Sequence, residues 1–198
     1  MTKDLSEIRK NIREQLRLDF IIPDDIPDIE LYMDQVTRFM DNHLQNNLRS
    51  KEDKTLTKTM INNYTKNKLV PPPNKKKYSR EHLILLIYIY YLKNVISMND
   101  IRKLLGPMVD GEFSEDELFD IYNDIFEMEK AQYFQTEHSV AISAKITDKK
   151  FPENKSSKDE YLNKMAFIYL LGYDIFSKKR LIEKLIDELP DSYDDEDK

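Results

Sequence analysis

Leu5, Ile8, Ile12 and Leu16 recur at steps of three and four. That spacing lines one face of a helix over residues 5–19. The stretch "IIPDDIPD" breaks the pattern at Pro23 and Pro27. A second amphipathic helix is expected from Asp28, carrying Leu31, Met33, Val36, Phe39, Met40 and Leu44. The polar segment Gln45 to Lys54 reads as a loop. The next helix starts at Thr55 or Thr57, since either hydroxyl can accept from an orphan amide of the first turn. It must end by Val70, because Pro71, Pro72 and Pro73 follow and a residue before proline avoids the helical region. Ser79 then caps a strongly apolar helix. Its run Leu83 to Leu92 is 10 residues long, whereas a membrane span needs about 20. It therefore reads as a buried helix.

Further along, "SMNDIRKLLGPM" predicts a short helix with Ser97 as cap and Gly106-Pro107 as stop. Ser114 followed by Glu117 has the capping-box spacing, and Leu118, Ile121, Tyr122, Ile125, Phe126 and Met128 continue at helical intervals. The β-branched cluster Val140 to Ile146 is kept helical. "TDKKFPENKSS" reads as a charged loop, and the last helix runs from near Ser157 toward Leu189 with Gly172 as a weak point. The acidic stretch 190–198 reads as a disordered tail. The expected class is all-α, with residues 1–27 as an N-terminal helix and linker, 28–108 as one domain and 112–189 as a second helical region.

Charge changes this picture. The 198 residues carry a net charge of -6. Between Arg49 and Arg80, however, ten basic residues face Glu52 and Asp53 alone, a local charge of +8 that leaves -14 on the rest. Exposed charges are screened beyond about 8 Å at physiological salt, so a basic patch can bind polyanion while distant acids are little felt. With no cysteine in the chain, disulfides, thiol nucleophiles and thiolate metal sites are excluded. "MTKDLSEIRK" has no apolar core of a secretory signal, and a cytoplasmic protein is expected.

Within the basic stretch, Leu56, Met60, Ile61 and Tyr64 share one helical face. Lys58, Thr59, Asn62, Asn63 and Lys66 share the other. Asparagine can bond adenine bidentately in the major groove, and lysine supplies phosphate or guanine contacts. The prolines stop the helix, and "NKKKY" forms a small wing with Lys75, Lys76, Lys77 and Tyr78. Arg80 closes the set.

The order of elements in "TKTMINNYTKNKLVPPPNKKKYSREHL" resembles the winged helix-turn-helix of the MerR superfamily. The resemblance implies that Thr57 caps a recognition helix, that Lys58, Thr59, Asn62 and Asn63 approach bases, and that Lys75, Lys76, Lys77 and Tyr78 form the wing. It also implies that "ISMNDIRKLLGPM" packs against the reader domain. With "PDIELYMDQVTRFMD" upstream, most of residues 25–150 is similar to the uncharacterised YkrK-like proteins of Gram-positive bacteria. This chain departs from the MerR pattern in its longer Gln45–Lys54 loop and its lack of effector cysteines. Its region 114–189 is too apolar for a two-stranded coil and is expected to pack as a bundle.

The resulting expectation is a non-enzymatic, sequence-specific regulator of transcription that binds double-stranded DNA as a homodimer, without cofactor or membrane. A small-molecule effector would sit in the C-terminal helices. A dimer would present its recognition helices about 34 Å apart. The alternative is a protein-interaction module that keeps the winged shape. Asn62-Asn63 also reads as solvated filler, and Tyr78 as either a pin for the wing or a phosphate ligand. The aromatic set from Tyr88 to Phe176 reads as core before it reads as a pocket. His43, His82 and His138 have no metal-ligand spacing, and no glycine-rich phosphate loop is present.

Overall fold

The computed structural model describes residues 18–50, 52–152 and 156–190, together with Ile12, Glu14 and Leu16. The helix expected over 5–19 and the tail 190–198 lie almost wholly outside these residues. The described chain is mostly helical. Its elements run β1 (Leu31–Tyr32), α1 (Met33–Leu44), α2 (Lys58–Lys66), β2 (Lys77–Tyr78), α3 (Arg80–Leu92), α4 (Met98–Val109), α5 (Glu115–Lys150) and α6 (Ser157–Asp187), with 3-10 turns at Pro23–Asp25 and Gln45–Asn47. Two compact units form. Among the described residues, one is Leu18–Phe126 with 182–190; the other is Glu127–Leu181 with Ile12, Glu14 and Leu16. Among the described residues, no helix is long and apolar enough to cross a membrane.

The first unit is built around α3. Leu83, Ile84, Leu85, Leu86, Ile87 and Ile89 are all buried, so this helix is covered on every side, as a helix without a polar face must be. Val36 and Met40 of α1, Ile61 of α2, Ile101 of α4 and Leu118 of α5 join it in one core. Truncating such a buried leucine to alanine typically costs about 2–5 kcal/mol.

Three boundaries differ from the expected ones. Leu31 belongs to a strand, not a helix: Leu31 pairs with Tyr78 and Tyr32 with Lys77 in an antiparallel ladder. The helix begins after Tyr32, whose amide is taken by the Gln35 side chain at 2.8 Å. Gly106-Pro107 does not stop α4, because a proline in the final turn removes one amide without preventing the last helical bonds. The stop comes at Gly111, with φ 83°, where Glu112 N donates to the Pro107 carbonyl at 3.1 Å. That is the usual left-handed helix ending. Finally, α5 continues to Lys150 and shortens the predicted charged loop, while Gly172 leaves α6 unbroken.

In the second unit, Ile12 and Ala141 are buried with Leu16, Val140 and Ala144 around them. The side chain of Asn163 closes the α5–α6 connection by donating to the Phe151 carbonyl at 2.8 Å. The core reading of the aromatic set holds for Tyr90, Tyr122 and Phe126, which are buried, but not for Phe134, Tyr169, Tyr173 and Phe176, which are exposed. Helical spacing alone does not reveal whether anything covers an apolar stripe.

Candidate nucleic-acid interface

Helix α2 is fixed at both ends. Thr57 Oγ1 accepts from Met60 N at 3.1 Å. Just before it, Thr55 is fully buried and gives both its hydroxyl and its amide to Asp41 Oδ1 of α1. Lys93 Nζ, past the end of α3, donates to the Thr55 carbonyl at 3.0 Å. Burial lowers the pKa of that lysine. At the other end, Leu69 N reaches the Tyr64 carbonyl at 2.9 Å and Lys68 N the Thr65 carbonyl at 3.1 Å. This pair of bonds is the Schellman motif, and Lys68 occupies its left-handed position with φ 56°.

Ile61 and Tyr64 of this helix are buried, and Lys58, Thr59, Asn62, Asn63 and Lys66 are all exposed. The partition expected from helical spacing is the one observed. Thr57 is half-buried at its cap.

After the prolines the chain reverses through Asn74–Lys77. Lys77 N donates to the Asn74 carbonyl at 2.9 Å, and the two central residues, Lys75 and Lys76, have φ of 48° and 67°. Positive φ at both centres is the signature of a type I′ turn, a geometry that favours Asn-Gly. Both lysines are exposed at the tip. Lys68, Lys75 and Lys76 are the non-glycine residues of positive φ among those described.

Tyr78 is 2% exposed and meets the His82 ring edge-on, with centroids 5.4 Å apart. It pins the wing to the core, and burial raises its pKa. His82 is buried as well. Its Nδ1 accepts from Ser79 N at 3.1 Å and lies 2.8 Å from Ser79 Oγ. Burial lowers its pKa, while the Pro72 and Pro71 carbonyls nearby pull the other way without completing a hydrogen bond to Nε2. Arg80 does not stand with the exposed set. Its guanidinium lies 3.5 Å from the Phe119 ring centroid, and its Nε is buried without a partner.

The acids are not all distant. Lys58 is paired with Asp34, Lys77 Nζ lies 3.5 Å from Glu30 Oε2, and Arg80 lies 4.0 Å from Asp28. All three carboxylates come from the seven residues that carry β1. Among the described residues no ion pair forms at Lys66, Lys68, Lys75 or Lys76. Tyr32, 56% exposed, lies under Lys77 at 5.9 Å. Sequence reasoning missed Lys68, Tyr32 and these acids. The ladder that brings residues 28–34 beside 74–80 joins segments more than forty positions apart, and no local pattern encodes it. Among the described residues, no group of three or more His, Cys, Asp or Glu side chains could hold a metal ion.

The arrangement is thus a polar helix face beside a stiff, lysine-tipped turn. A family model described as "Domain of unknown function (DUF1836)" matches residues 21–125, just over half of the chain and nearly all of the unit that bears this face. The chain belongs to that family. No curated protein and no solved structure matches.

Proposed function

We propose that this protein is a sequence-specific DNA-binding regulator of transcription, with α1 and α2 as a helix-turn-helix and the β1–β2 ladder with its lysine tip as the wing. In this reading, which follows the MerR-like resemblance, α2 lies in the major groove. Asn62, Asn63 and Thr59 read base edges, while Lys58 and Lys66 flank them. Lys75, Lys76 and Lys77 contact the neighbouring phosphates.

One observation carries the reading. The three described non-glycine residues in left-handed backbone are lysines of the same basic stretch. A side chain there costs roughly 1–2 kcal/mol relative to glycine, and nothing in the fold needs an ammonium at those positions. Strain retained at exposed charged residues supports a function for the charges themselves. In vitro selection from random duplex DNA tests the reading; a recovered motif supports it, and no enrichment contradicts it.

A homodimer fits this function, because two readers double the contacted site. Tyr161, Ile168, Tyr169, Tyr173, Ile175 and Phe176 of α6 are each at least 60% exposed. Together they offer on the order of 800 Å² of apolar surface, about one side of a stable interface. A second copy of this chain is the occupant that this face suits. The mixed charge around Lys58 and Lys77 favours the second reading, a protein-interaction module, for which selection would recover no motif.

A further inference from the structure

We propose that Asp34 and Glu30 are built-in counter-charges. They occupy Lys58 and Lys77 in the free protein and must be displaced by phosphate, which holds charge-driven binding of nucleic acid in check. The inference rests on the reading of α2 and the wing as a polyanion-binding face, and it assigns a role to two residues on that face.

Lys58, the first residue of α2, pairs with Asp34, and Lys77, in β2, pairs with Glu30. Both acids are delivered by one segment, whose backbone is tied down by the Leu31–Tyr78 and Tyr32–Lys77 pairing. They cannot move off with the lysines and remain beside any phosphate that arrives. All four side chains are well exposed, at 40% or more. Exposed pairs of this kind contribute little to folding, so stability does not explain their presence.

Their effect on binding is direct. A phosphate that takes a paired lysine gives up its condensed cation, but the fixed carboxylate left beside it holds a cation in turn, so such a pair adds little to the net release of ions. The four unpaired lysines, Lys66, Lys68, Lys75 and Lys76, would give a slope of log affinity against log salt of about -3.6, whereas six free lysines would give about -5.4. Arg80 supplies an internal control. Its partner Asp28 sits in the same acidic run, but the guanidinium is covered by Phe119, so freeing it adds no phosphate contact.

The test uses the full chain and compares wild type, the Glu30→Gln/Asp34→Asn double variant and Asp28→Asn. All three should show the same urea midpoint. On a random duplex the double variant should bind roughly 2- to 25-fold more tightly near 100 mM salt, from two exposed pairs, and its salt slope should steepen by about 1.5–2. Asp28→Asn should match wild type. On immobilised heparin the double variant should elute at clearly higher salt, which reports the counter-charges whether or not DNA is the natural ligand. A double variant with unchanged slope and unchanged heparin elution overturns the inference, even if wild type prefers a selected site. A shifted heparin elution with no preference for any duplex sequence upholds the counter-charges and contradicts the DNA reading.

Discussion

Asp41 Oδ1 accepts both the amide and the hydroxyl of Thr55, and through that residue α1 sets where α2 begins. The Lys93 ammonium completes the arrangement from the far side by taking the Thr55 carbonyl at 3.0 Å. A long polar loop separates α1 from α2, so the angle of α2 depends on this knot. Thr55→Val keeps the side-chain shape and deletes the hydroxyl bond. Bonds to charged groups are worth about 1.5–3 kcal/mol, and Asp41 is half-exposed and can recover water. A loss of about 1–2 kcal/mol is expected, read as a lower urea midpoint at constant m-value. An unchanged midpoint would show that the knot does not hold the helix.

The left-handed lysines give a prediction in which stability and binding move in opposite directions. Lys68→Gly suits the helix ending better than lysine and should stabilise the fold by about 0.5–1 kcal/mol. Lys75→Gly and Lys76→Gly should do the same at the turn while weakening duplex binding at every sequence. Stability and affinity measured on the same three variants check this. A destabilised Lys68→Gly would remove the argument that strain is being kept for the charge.

Much of this was legible in the sequence because it is local. Thr57, Ser97 and Ser114 cap the helices expected of them, with Ser114 and Glu117 bonded reciprocally. The inward and outward faces of α2 follow from a period of 3.6. What was not legible depends on distant partners. The strand at Leu31 exists because of Tyr78. The Arg80 guanidinium is covered because Phe119, thirty-nine positions on, lies against it. The acids beside Lys58 and Lys77 arrive with the ladder, which makes the interface less purely basic than its local sequence. The exposure of the α6 aromatics is likewise a matter of what lies opposite them.

His82 gives the pH dependence. Burial lowers its pKa below the ordinary value of 6.5, and its Nδ1 is already used as an acceptor for Ser79 N. In the window below 6.5 the unfolded chain takes up a proton that the folded chain refuses. The stability contribution is complete above that pH and is lost as pH falls toward the folded value. Glu81, whose pKa is raised by burial and by Glu115, acts in the opposite sense and nearer the carboxylate range. The wild-type minus His82→Asn difference in urea stability, followed from pH 7.5 to pH 5, should therefore shrink on acidification. A difference that stays flat or grows would mean the imidazole is not held neutral.

The α6 face predicts self-association. Ile168 is 68% exposed and Ile175 63% exposed in the single chain. Ile168→Glu/Ile175→Glu should leave circular dichroism unchanged and convert a dimer to a monomer in sedimentation equilibrium. A wild-type chain that sediments as a monomer at tens of micromolar would remove the second copy from this face.

The central claim is that α2 and the lysine tip form one face that reads duplex DNA. Fluorescence titration of a selected duplex and a random duplex across several salt concentrations tests it most directly, with Asn62→Ala and Lys76→Ala alongside wild type. The expected result is tighter binding to the selected site, narrowed by Asn62→Ala. Lys76→Ala should weaken both duplexes alike and flatten the salt slope by about one. Equal affinity for both duplexes, with no dependence on salt, would contradict the claim.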